Sequence, residues 1–363
     1  MFKKKERFIG IDISPSSVKL IELSRNGKRY QVEAMAIEPL VDDAMQDRNP
    51  SDMDKVGNAI KRALKNSGSS LKKAAVAVPT SSVITRTIPM PLDFGEDEIE
   101  NNIQLEASQY IPFPFDEVYL DFQVEGASRS SASTQDVTIV ASRRENIDLR
   151  DEILKDAGLK ASVVDVEAYA IENTFSLLLA SNSKSELATP DDEQPLTQIA
   201  VVDIGASYTT LYVFQSHVTQ NDRVIFTREH NFGGDQLTTA ISETYNLSKD
   251  RAEQAKRSGE LSEDYITTIL EPYRRSVAEQ ISNGLQFFFS STEHSTIDQI
   301  ILAGGGAMVQ GLDKTISDLL NIPTTVSNPF SDMGSAKRVN RRSLLRDAPL
   351  FTVACGLALR SFD

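Results

Sequence analysis

The 363-residue sequence contains no tryptophan, a single cysteine, Cys355, and only three histidines. One cysteine cannot form an intrachain disulfide, and this usage fits the reducing cytosol. Because His217, His230 and His294 are not arranged at ligand-like spacings, a structural zinc site is not expected. No apolar run reaches the roughly 20 residues of a membrane-spanning helix. The basic N-terminus is not followed by the apolar core of a secretion signal.

Positive charge is also scarce. Acidic residues outnumber lysine and arginine by 52 to 38, which gives a net charge of -14. Nucleic-acid binding needs a basic surface that displaces counterions, so a nucleic-acid partner is not expected. The hydrophobic fraction of 40% and the charged fraction of 25% are ordinary for a globular protein. The length exceeds one typical domain, and we therefore expect two or more.

One stretch near the N-terminus has the pattern of a strand, a tight turn and a second strand. An apolar run ends in Asp12, the polar turn SPSS follows at residues 14–17, and an alternating run that contains Lys19 leads away over residues 18–23. The turn can offer backbone N–H groups, three hydroxyls and a lysine to an anion. Asp12 is placed to hold a cation through water.

The same pattern returns at residues 199–214, with the sequence IAVVDIGASYTTLYVF. The aligned pairs are Asp12 with Asp203, Ile13 with Ile204, Ser16 with Ser207 and Leu20 with Leu211. A strand that ends in Asp is common, but its repetition within one chain indicates an internal duplication. Two such hairpins facing each other would clamp a phosphate chain and its metal from both sides.

The residues between the two hairpins predict an α/β layer followed by an inserted unit. A strand at 28–38, a helix that begins after Asp52 and ends at Gly68, and a strand at 74–78 complete the layer. Residues 39–51 are predicted to be a loop, because prolines interrupt them.

Residues 86–162 change in character and predict a compact βαββα unit. Its loop at 110–115, YIPFPF, is rich in aromatic residues. Local packing beneath the preceding helix and contact with a partner peptide are equally good interpretations of this loop. A polar segment at 180–198 then predicts a linker between the two halves of the chain.

In the second half, the FGGD motif at 232–235 precedes a predicted helical lobe. Glu253 and Lys256 lie three residues apart on one helix face, which a simple surface ion pair also explains. A strand at 298–303 runs directly into a glycine triplet, whose N–H groups can face a nucleotide phosphate. A purely structural turn is the alternative interpretation of that triplet.

The C-terminal part divides into a polar and an apolar segment. Residues 327–348 are polar and locally basic, and they predict a solvated loop. Residues 349–359 predict an apolar helix that contains Cys355, which we expect to be a buried small hydrophobe.

The two hairpins, the glycine triplet and the helices at 166–179 and 349–359 resemble the five signature elements of the superfamily of actin, heat-shock chaperones and sugar kinases. The block FGGDQLTTAISETYNLSKDRAEQAK resembles the helical subdomain of the FtsA branch, and residues 86–162 sit where FtsA-type proteins carry an insertion. Four further segments, EASQYIPFPFDEV, VVDVEAYAIEN, SNPF and DAPLFTVACGLALR, are similar to the PilM family of type IV pilus assembly proteins. The resemblance covers nearly the whole chain.

The resemblance implies an α/β, actin-like ATPase fold of two lobes with duplicated ribonuclease-H-like subdomains, an FtsA-type inserted βαββα subdomain and a helical subdomain. The implied division is a first core lobe (1–85), the inserted partner-binding subdomain (86–162), a core helix and inter-lobe linker (163–197), a second core lobe (198–230), the helical subdomain (231–297), the second core lobe with the adenosine loop (298–345) and a C-terminal helix that returns to the first lobe (346–363).

The resemblance also implies that ATP and Mg²⁺ bind in the central cleft. Asp12 and Asp203 would hold the magnesium, mostly through water. Glu167 occupies the position of a water-orienting acid, although a helix-start acid satisfied by the helix dipole explains it equally well. The other implied ATP-binding residues are Ser14, Ser16, Ser17 and Lys19 on the first hairpin, Gly205, Ala206, Ser207 and Thr209 on the second, Gly233 and Gly234 near the ribose and phosphates, Glu253 and Lys256 at the ribose or adenine, and Gly304, Gly305, Gly306 and Met308 at the adenine pocket.

The first phosphate loop, DISPSS, departs from the glycine-containing DxGT pattern of efficient relatives, and Pro15 removes one N–H donor. We therefore expect ATP binding with at most weak hydrolysis. No sugar-site constellation is evident in the inserted unit, which disfavours a small-molecule kinase. FtsA-type proteins usually end in an amphipathic membrane helix, and this sequence stops just after the last core helix. That difference disfavours a cell-division filament protein, and any membrane contact is expected to be indirect.

The function that the resemblance implies is a cytoplasmic, ATP-binding scaffold of the type IV pilus machinery. Its expected partner is the cytoplasmic N-terminal peptide of the inner-membrane protein PilN, which would recruit it to the inner membrane. Tyr110, Ile111, Phe113 and Phe115 are the expected partner contacts. Pilus motor ATPases and further copies of the chain are additional candidate partners. The alternatives are an FtsA-like division or filament protein and a small-molecule kinase of the same fold.

Overall fold

The computed structural model describes residues 6–41, 43–46, 48–128, 131–182, 197–217 and 220–363. In chain order the strands are β1 (Ile9–Ser14), β2 (Ser17–Asn26), β3 (Arg29–Pro39), β4 (Met45–Gln46), β5 (Asn49–Pro50), β6 (Lys73–Val78), β7 (Val83–Pro91), β8 (Val118–Ala127), β9 (Thr134–Arg143), β10 (Lys160–Val166), β11 (Thr197–Ile204), β12 (Thr209–His217), β13 (Gln220–His230), β14 (Gln299–Ala303), β15 (Thr324–Val326) and β16 (Gly334–Ser335). The α-helices are α1 (Met53–Ser67), α2 (Glu96–Tyr110), α3 (Arg144–Asp156), α4 (Glu167–Asn182), α5 (Gly234–Tyr245), α6 (Lys249–Ser258), α7 (Glu271–Ser291), α8 (Leu312–Leu320), α9 (Arg341–Arg346) and α10 (Thr352–Leu359).

Two sheets with the same arrangement of strands form the centres of the two lobes. Their orders are β10-β6-β1-β2-β3-β16 and β13-β12-β11-β14-β15. In each sheet an antiparallel meander, β1-β2-β3 or β11-β12-β13, is extended beyond its first strand by two parallel strands. The two orders coincide when they are followed from β1 and from β11, so the predicted duplication is confirmed.

The aligned aspartates occupy the same position in both hairpins. Asp12 lies opposite Lys19 in the pairing of β1 with β2, and Asp203 lies opposite Thr210 in the pairing of β11 with β12. Each aspartate follows a run of buried apolar residues, so packing of these runs into the lobe cores fixes the register of both strands. The two carboxylates therefore project from equivalent strand ends.

Helices α4 and α10 pack against each other and join the cores of the two lobes. Phe175 of α4 stacks on Phe214 of β12, with ring centroids 4.2 Å apart. Both rings belong to one buried cluster that also includes apolar residues of β6, β11, β14 and α10. The helices approach so closely at Gly356 that a Cβ atom there would lie 1.6 Å from the carbonyl oxygen of Ala170. This shared core anchors both hairpins.

The inserted unit has the expected order β7-α2-β8-β9-α3, and its sheet has the strand order β7-β9-β8. Ile103 of α2 packs with Val137 and Ile139 of β9 in a small separate core. Helix α3 instead places Ile153 and Leu154 in the core of the first lobe. The exact domain boundaries stay predictions.

Helices α5 to α8 cover one face of the second sheet, and a π-helical turn at Ile266–Leu270 leads into α7. Their apolar residues share one large cluster with β11, β12 and β14. Across the described parts of the chain, no helix combines the length and the apolar character needed to cross a bilayer.

Two predicted loops contain regular structure, so those predictions were wrong in part. In residues 327–348, β16 pairs with β3, helix α9 forms, and the side chains of Phe330 and Leu344 are fully buried. In residues 39–51, β4 and β5 form a small ladder. Elements this short leave no periodic signal in a sequence. Residues 183–196 of the predicted linker lie outside the described residues.

Candidate functional site

The first hairpin brings its predicted site residues together as one polar cluster. The Nζ atom of Lys19 donates to Asp12 Oδ2 at 2.8 Å and to Ser14 Oγ at 2.8 Å. The Ser14 hydroxyl in turn donates to the carbonyl of Ser17 at 2.9 Å. Lys19 and Asp12 are both buried, whereas Ser16 at the tip of the turn is exposed. The hairpin thus holds a buried ion pair behind an exposed polar turn.

The second carboxylate, Asp203, lies against the glycine triplet. Gly304 has φ 78° and ψ 178°, a conformation that glycine adopts without strain. A Cβ atom at this position would lie 2.3 Å from Asp203 Oδ1. Glycine is therefore required here for two reasons, the backbone angle and the close approach. The glycine triplet and Asp203 therefore lie side by side at the ends of the parallel strands β14 and β11.

The loop of the second hairpin is fixed to the start of α5. The amide of Gly234 donates to Gly205 O at 2.9 Å, and the amide of Asp235 donates to Ala206 O at 2.8 Å. The Ser207 hydroxyl donates to Asp235 Oδ2 at 2.7 Å. Among the hydrogen bonds of the described residues, none uses the amides of Ala206 or Ser207 as donors. These two N–H groups remain available for an anion.

The predicted ribose-side residues also lie at this loop. Lys256 Nζ is 2.5 Å from Glu253 Oε2 and 2.7 Å from the Thr238 hydroxyl, and it donates to Gly234 O at 3.3 Å. The side-chain hydrogen bond from Lys256 helps lower the pKa of Glu253 against the opposing effect of burial. Met308, at the end of the short 3₁₀ helix that begins within the glycine triplet (Gly305–Met308), is 41% exposed. The surface-pair interpretation of Glu253 and Lys256 was therefore incomplete, because both also contact Thr238 of α5.

Glu167 begins α4 and is held by a residue that sequence analysis missed. Arg48 Nη2 lies 2.7 Å from Oε1 and 2.6 Å from Oε2 of Glu167. The other terminal nitrogen, Nη1, pairs with Glu229 at the end of β13 and approaches the Thr210 hydroxyl at 3.5 Å. Arg48 lay in a segment predicted to be a loop, and nothing in its local pattern distinguished it. It is nevertheless the cation in closest contact with Glu167 in the described residues.

Electrostatic effects connect these acids. Burial, together with the charges on Asp12 and Asp203, raises the pKa of Glu167 to about 7 against the attraction of Arg48. Burial also raises the pKa of Asp203, with a second contribution from Asp12, while Lys19 and Arg48 oppose the shift. The negative charges of Asp12 and Asp203 thus disfavour ionisation of Glu167, and a bound cation would relieve this repulsion.

The donor set fits a magnesium ion bound to nucleotide. Magnesium prefers oxygen ligands and retains several waters, with one or two protein carboxylates and substrate phosphates completing its coordination. Asp12 and Asp203 supply such carboxylates, and the amides of Ala206 and Ser207, which donate to no other described residue, are candidates for phosphate contacts. No group of three or more potential metal ligands occurs in the residues that the structure describes. A metal here would therefore depend on water and phosphate oxygens for most of its ligands.

One predicted phosphate contact lies away from the others. The Thr209 side chain is 2% exposed, and its hydroxyl donates to Phe232 O at 2.7 Å. This bond ties the start of β12 to the FGGD segment, so the hydroxyl faces the protein interior. A contact between Thr209 and phosphate stays a prediction.

The predicted partner loop of the inserted unit is only partly accessible. Ile111 is buried in a small core with Val118, and the ring of Phe113 lies under Arg143 at 4.4 Å. Tyr110 donates its hydroxyl to Glu106 at 3.2 Å. Phe115 is 45% exposed. Local packing therefore describes Ile111 and Phe113, whereas a contact between the exposed Phe115 and a partner stays a prediction.

A family comparison identifies the relatives of this chain. The family described as type IV pilus assembly protein PilM matches residues 10–362. The chain belongs to the PilM family. The matched region includes both hairpins, the inserted unit and the C-terminal helix, so the resemblance inferred from short sequence segments is confirmed.

Solved structures agree with this assignment. The chain is similar to a structure described as the PilM–PilN type IV pilus biogenesis complex, with a TM-score of 0.79 and 26% identity over 99% of this chain and 100% of that one. The ethanolamine utilization protein EutJ from Carboxydothermus hydrogenoformans has a TM-score of 0.55 and 15% identity, with coverage of 98% and 90%. MreB 5 of Spiroplasma citri, solved with AMPPNP, has a TM-score of 0.48 and 13% identity, with coverage of 98% and 95%. The predicted actin-like ATPase fold is confirmed.

Proposed function

We propose that this PilM-family chain is an ATP-binding scaffold of the type IV pilus assembly machinery that works at the cytoplasmic face of the inner membrane. The observation that carries the proposal is the paired-hairpin cleft, in which Asp12 and Asp203 project from equivalent strand ends. Membership of the PilM family indicates pilus assembly as the process, and the cleft between the hairpins indicates ATP as the ligand.

Nucleotide binding follows from the chemistry of the cleft. Bound magnesium would neutralise the two carboxylates and the phosphate charges. Lys19 would hold the phosphates from one side. The N–H groups of Ala206 and Ser207, which donate to no other described residue, would hold them from the other side. Because the first turn contains Pro15 in place of an N–H donor and Glu167 is paired with Arg48, hydrolysis would be weak.

The proposed partner is the cytoplasmic N-terminal segment of a PilN-like inner-membrane protein. Support comes from the similar structure, which is described as a complex of PilM with PilN and is aligned over 99% of this chain. The inserted unit offers an apolar surface for a peptide, because Leu105 of α2 is 82% exposed and Phe115 is 45% exposed. Binding to pilus motor ATPases and self-association stay predictions.

Contacts of the inserted unit and of the core helix α4 with the second lobe provide a route from nucleotide to partner. Glu125 of β8 pairs with Arg223 of β13, and Glu172 of α4 accepts a hydrogen bond from the amide of Val224 at 2.9 Å. A change in the separation of the lobes would therefore alter the position of the inserted sheet. ATP would act by shifting the population of lobe arrangements and so changing partner affinity.

The experiment is a titration of the full chain with a fluorescent peptide from the PilN N-terminus, with and without Mg–ATP. We expect Leu105→Ser to weaken peptide binding about tenfold or more, because a central apolar anchor is lost. Leu319→Ser is the matched control, since Leu319 is 50% exposed on α8 of the second lobe. Equal affinities for the wild type, Leu105→Ser and Leu319→Ser would argue against the inserted unit as the peptide site.

A further inference from the structure

Arg48 is held rigidly at the cleft although it lies in a short connection between β4 and β5. Its φ is 64°, which is uncommon for a residue other than glycine. The buried side chain of Arg150 holds this connection in place through hydrogen bonds. Its Nε donates to Ala77 O at 2.7 Å, and its Nη atoms donate to Asn49 Oδ1 at 3.2 Å and to Arg48 O at 3.4 Å. The structure therefore over-determines the position of Arg48.

The guanidinium of Arg48 joins three parts of the molecule. It pairs with Glu167 at the start of the central helix α4 and with Glu229 at the end of β13 in the second lobe. Its side chain is 13% exposed, and those of Glu167 and Glu229 are 9% and 20% exposed. Burial alone would lower the pKa of Arg48, but the two carboxylates outweigh it and raise that pKa. The pair with Glu229 crosses directly from the first lobe to the second.

The bridge lies beside the phosphate-facing part of the second hairpin. Arg48 Cζ is 5.4 Å from the ring centroid of Tyr208, which closes the loop at residues 205–208. Its Nη1 lies 3.5 Å from the hydroxyl of Thr210, the residue opposite Asp203 in the strand pairing. Separation of the lobes at this point would break the bridge and leave Arg48, Glu167 and Glu229 with uncompensated charges. A partly buried ion pair resists such a separation.

We propose that Arg48 is a clamp across the nucleotide cleft, whose ion pair with Glu229 holds the lobes closed and limits the rate of ATP release. The proposal rests on the proposed ATP-binding function. Arg48 acts through the position of the lobes, so it is a positioning residue. The ion pair of Arg48 with Glu167 stays formed, and the ion pair of Arg48 with Glu229 breaks when the lobes separate.

The test measures the rate at which a fluorescent ATP analogue dissociates when it is chased with excess Mg–ATP. Arg48→Gln and Glu229→Gln should each raise this rate about tenfold or more, since loss of one partner of a buried charge pair acts mainly on dissociation. The double variant should be no faster than Arg48→Gln, because that change alone already removes the pair with Glu229. Arg62→Gln is the matched control, because Arg62 pairs with Glu38 within the first lobe, and its dissociation rate should equal that of the wild type.

Three outcomes separate the possibilities. Unchanged dissociation in both single variants, or effects that add in the double variant, would overturn the clamp while leaving ATP binding intact. Absence of saturable Mg–ATP binding by the wild type would overturn the proposed function and the clamp with it. Glu229→Gln leaves the pair of Arg48 with Glu167 in place. If Arg48→Gln does not fold, the dissociation rate of the ATP analogue from Glu229→Gln therefore decides the test.

Discussion

The Nζ atom of Lys19 lies 2.8 Å from Oδ2 of Asp12, directly across the first hairpin. The sequence suggested two separate ligands, a lysine for phosphate and a carboxylate for metal. In the structure they satisfy each other, and their side chains are only 8% and 10% exposed. Lys19 therefore balances the buried negative charge of Asp12, and we expect it to become a phosphate contact when nucleotide binds.

This double function predicts an unusual effect of Lys19→Met. The variant leaves Asp12 buried without a cation, and loss of one member of a buried pair typically costs about 3–5 kcal/mol of unfolding free energy. Magnesium should restore stability more in the variant than in the wild type, because it supplies the missing positive charge. Chemical denaturation with and without Mg²⁺ measures both effects.

Lys55→Met is the control for that experiment. Lys55 pairs with Asp52 on the surface, where the two side chains are 42% and 37% exposed. Its unfolding midpoint should stay close to that of the wild type. Equal midpoints for Lys19→Met and Lys55→Met would contradict the charge-balancing role.

The contact between α4 and α10 predicts opposite effects of two glycine substitutions. Gly356→Ala should destabilise the protein by about 3 kcal/mol or more, because the new Cβ would lie 1.6 Å from a backbone oxygen that cannot move alone. Gly57→Ala, within α1, meets no atom within 4 Å and should stabilise by about 0.5–1 kcal/mol. Denaturant titration of the two variants tests the helix crossing, and a neutral Gly356→Ala would show that the helices lie further apart.

The reactivity of the Cys355 thiol reports how often the native protein unfolds. Its thiol is fully buried in α10, and burial raises its pKa, so the reactive thiolate is suppressed. We expect alkylation only from unfolded molecules, at a rate proportional to their population. Saturating Mg–ATP at 100 times its Kd should slow labelling about 100-fold, because ligand binding stabilises only the folded state. Labelling at the rate of a free thiol, with or without ATP, would mean that α10 is exposed.

Sequence patterns predicted the parts of the site that are local. Asp12 and Asp203 end continuous apolar runs, and the glycines at 304–306 directly follow a strand, so each leaves a signal within a few residues. Duplication of the hairpin then fixed which residues correspond. The fold class followed from the same local elements and their order.

Arg48 could not be found in this way, because its partners are remote. Glu167 is 119 positions away and Glu229 is 181 positions away. An ion pair between such segments has no periodicity and depends on how the lobes pack. Phe330 and Leu344 were missed for a related reason, since isolated apolar residues in a polar stretch do not indicate which surface will bury them.

The most direct measurement is calorimetric titration of Mg–ATP into the wild type, Asp203→Asn and Asp165→Asn. Asp165 is a buried carboxylate at 3.4 Å from Arg360, and it serves as the control for removing a buried charge. We expect saturable binding of one nucleotide per chain, weakened about 10- to 100-fold by Asp203→Asn and unaffected by Asp165→Asn. A flat titration of the wild type, or equal affinity in Asp203→Asn, would contradict an ATP site between the two hairpins.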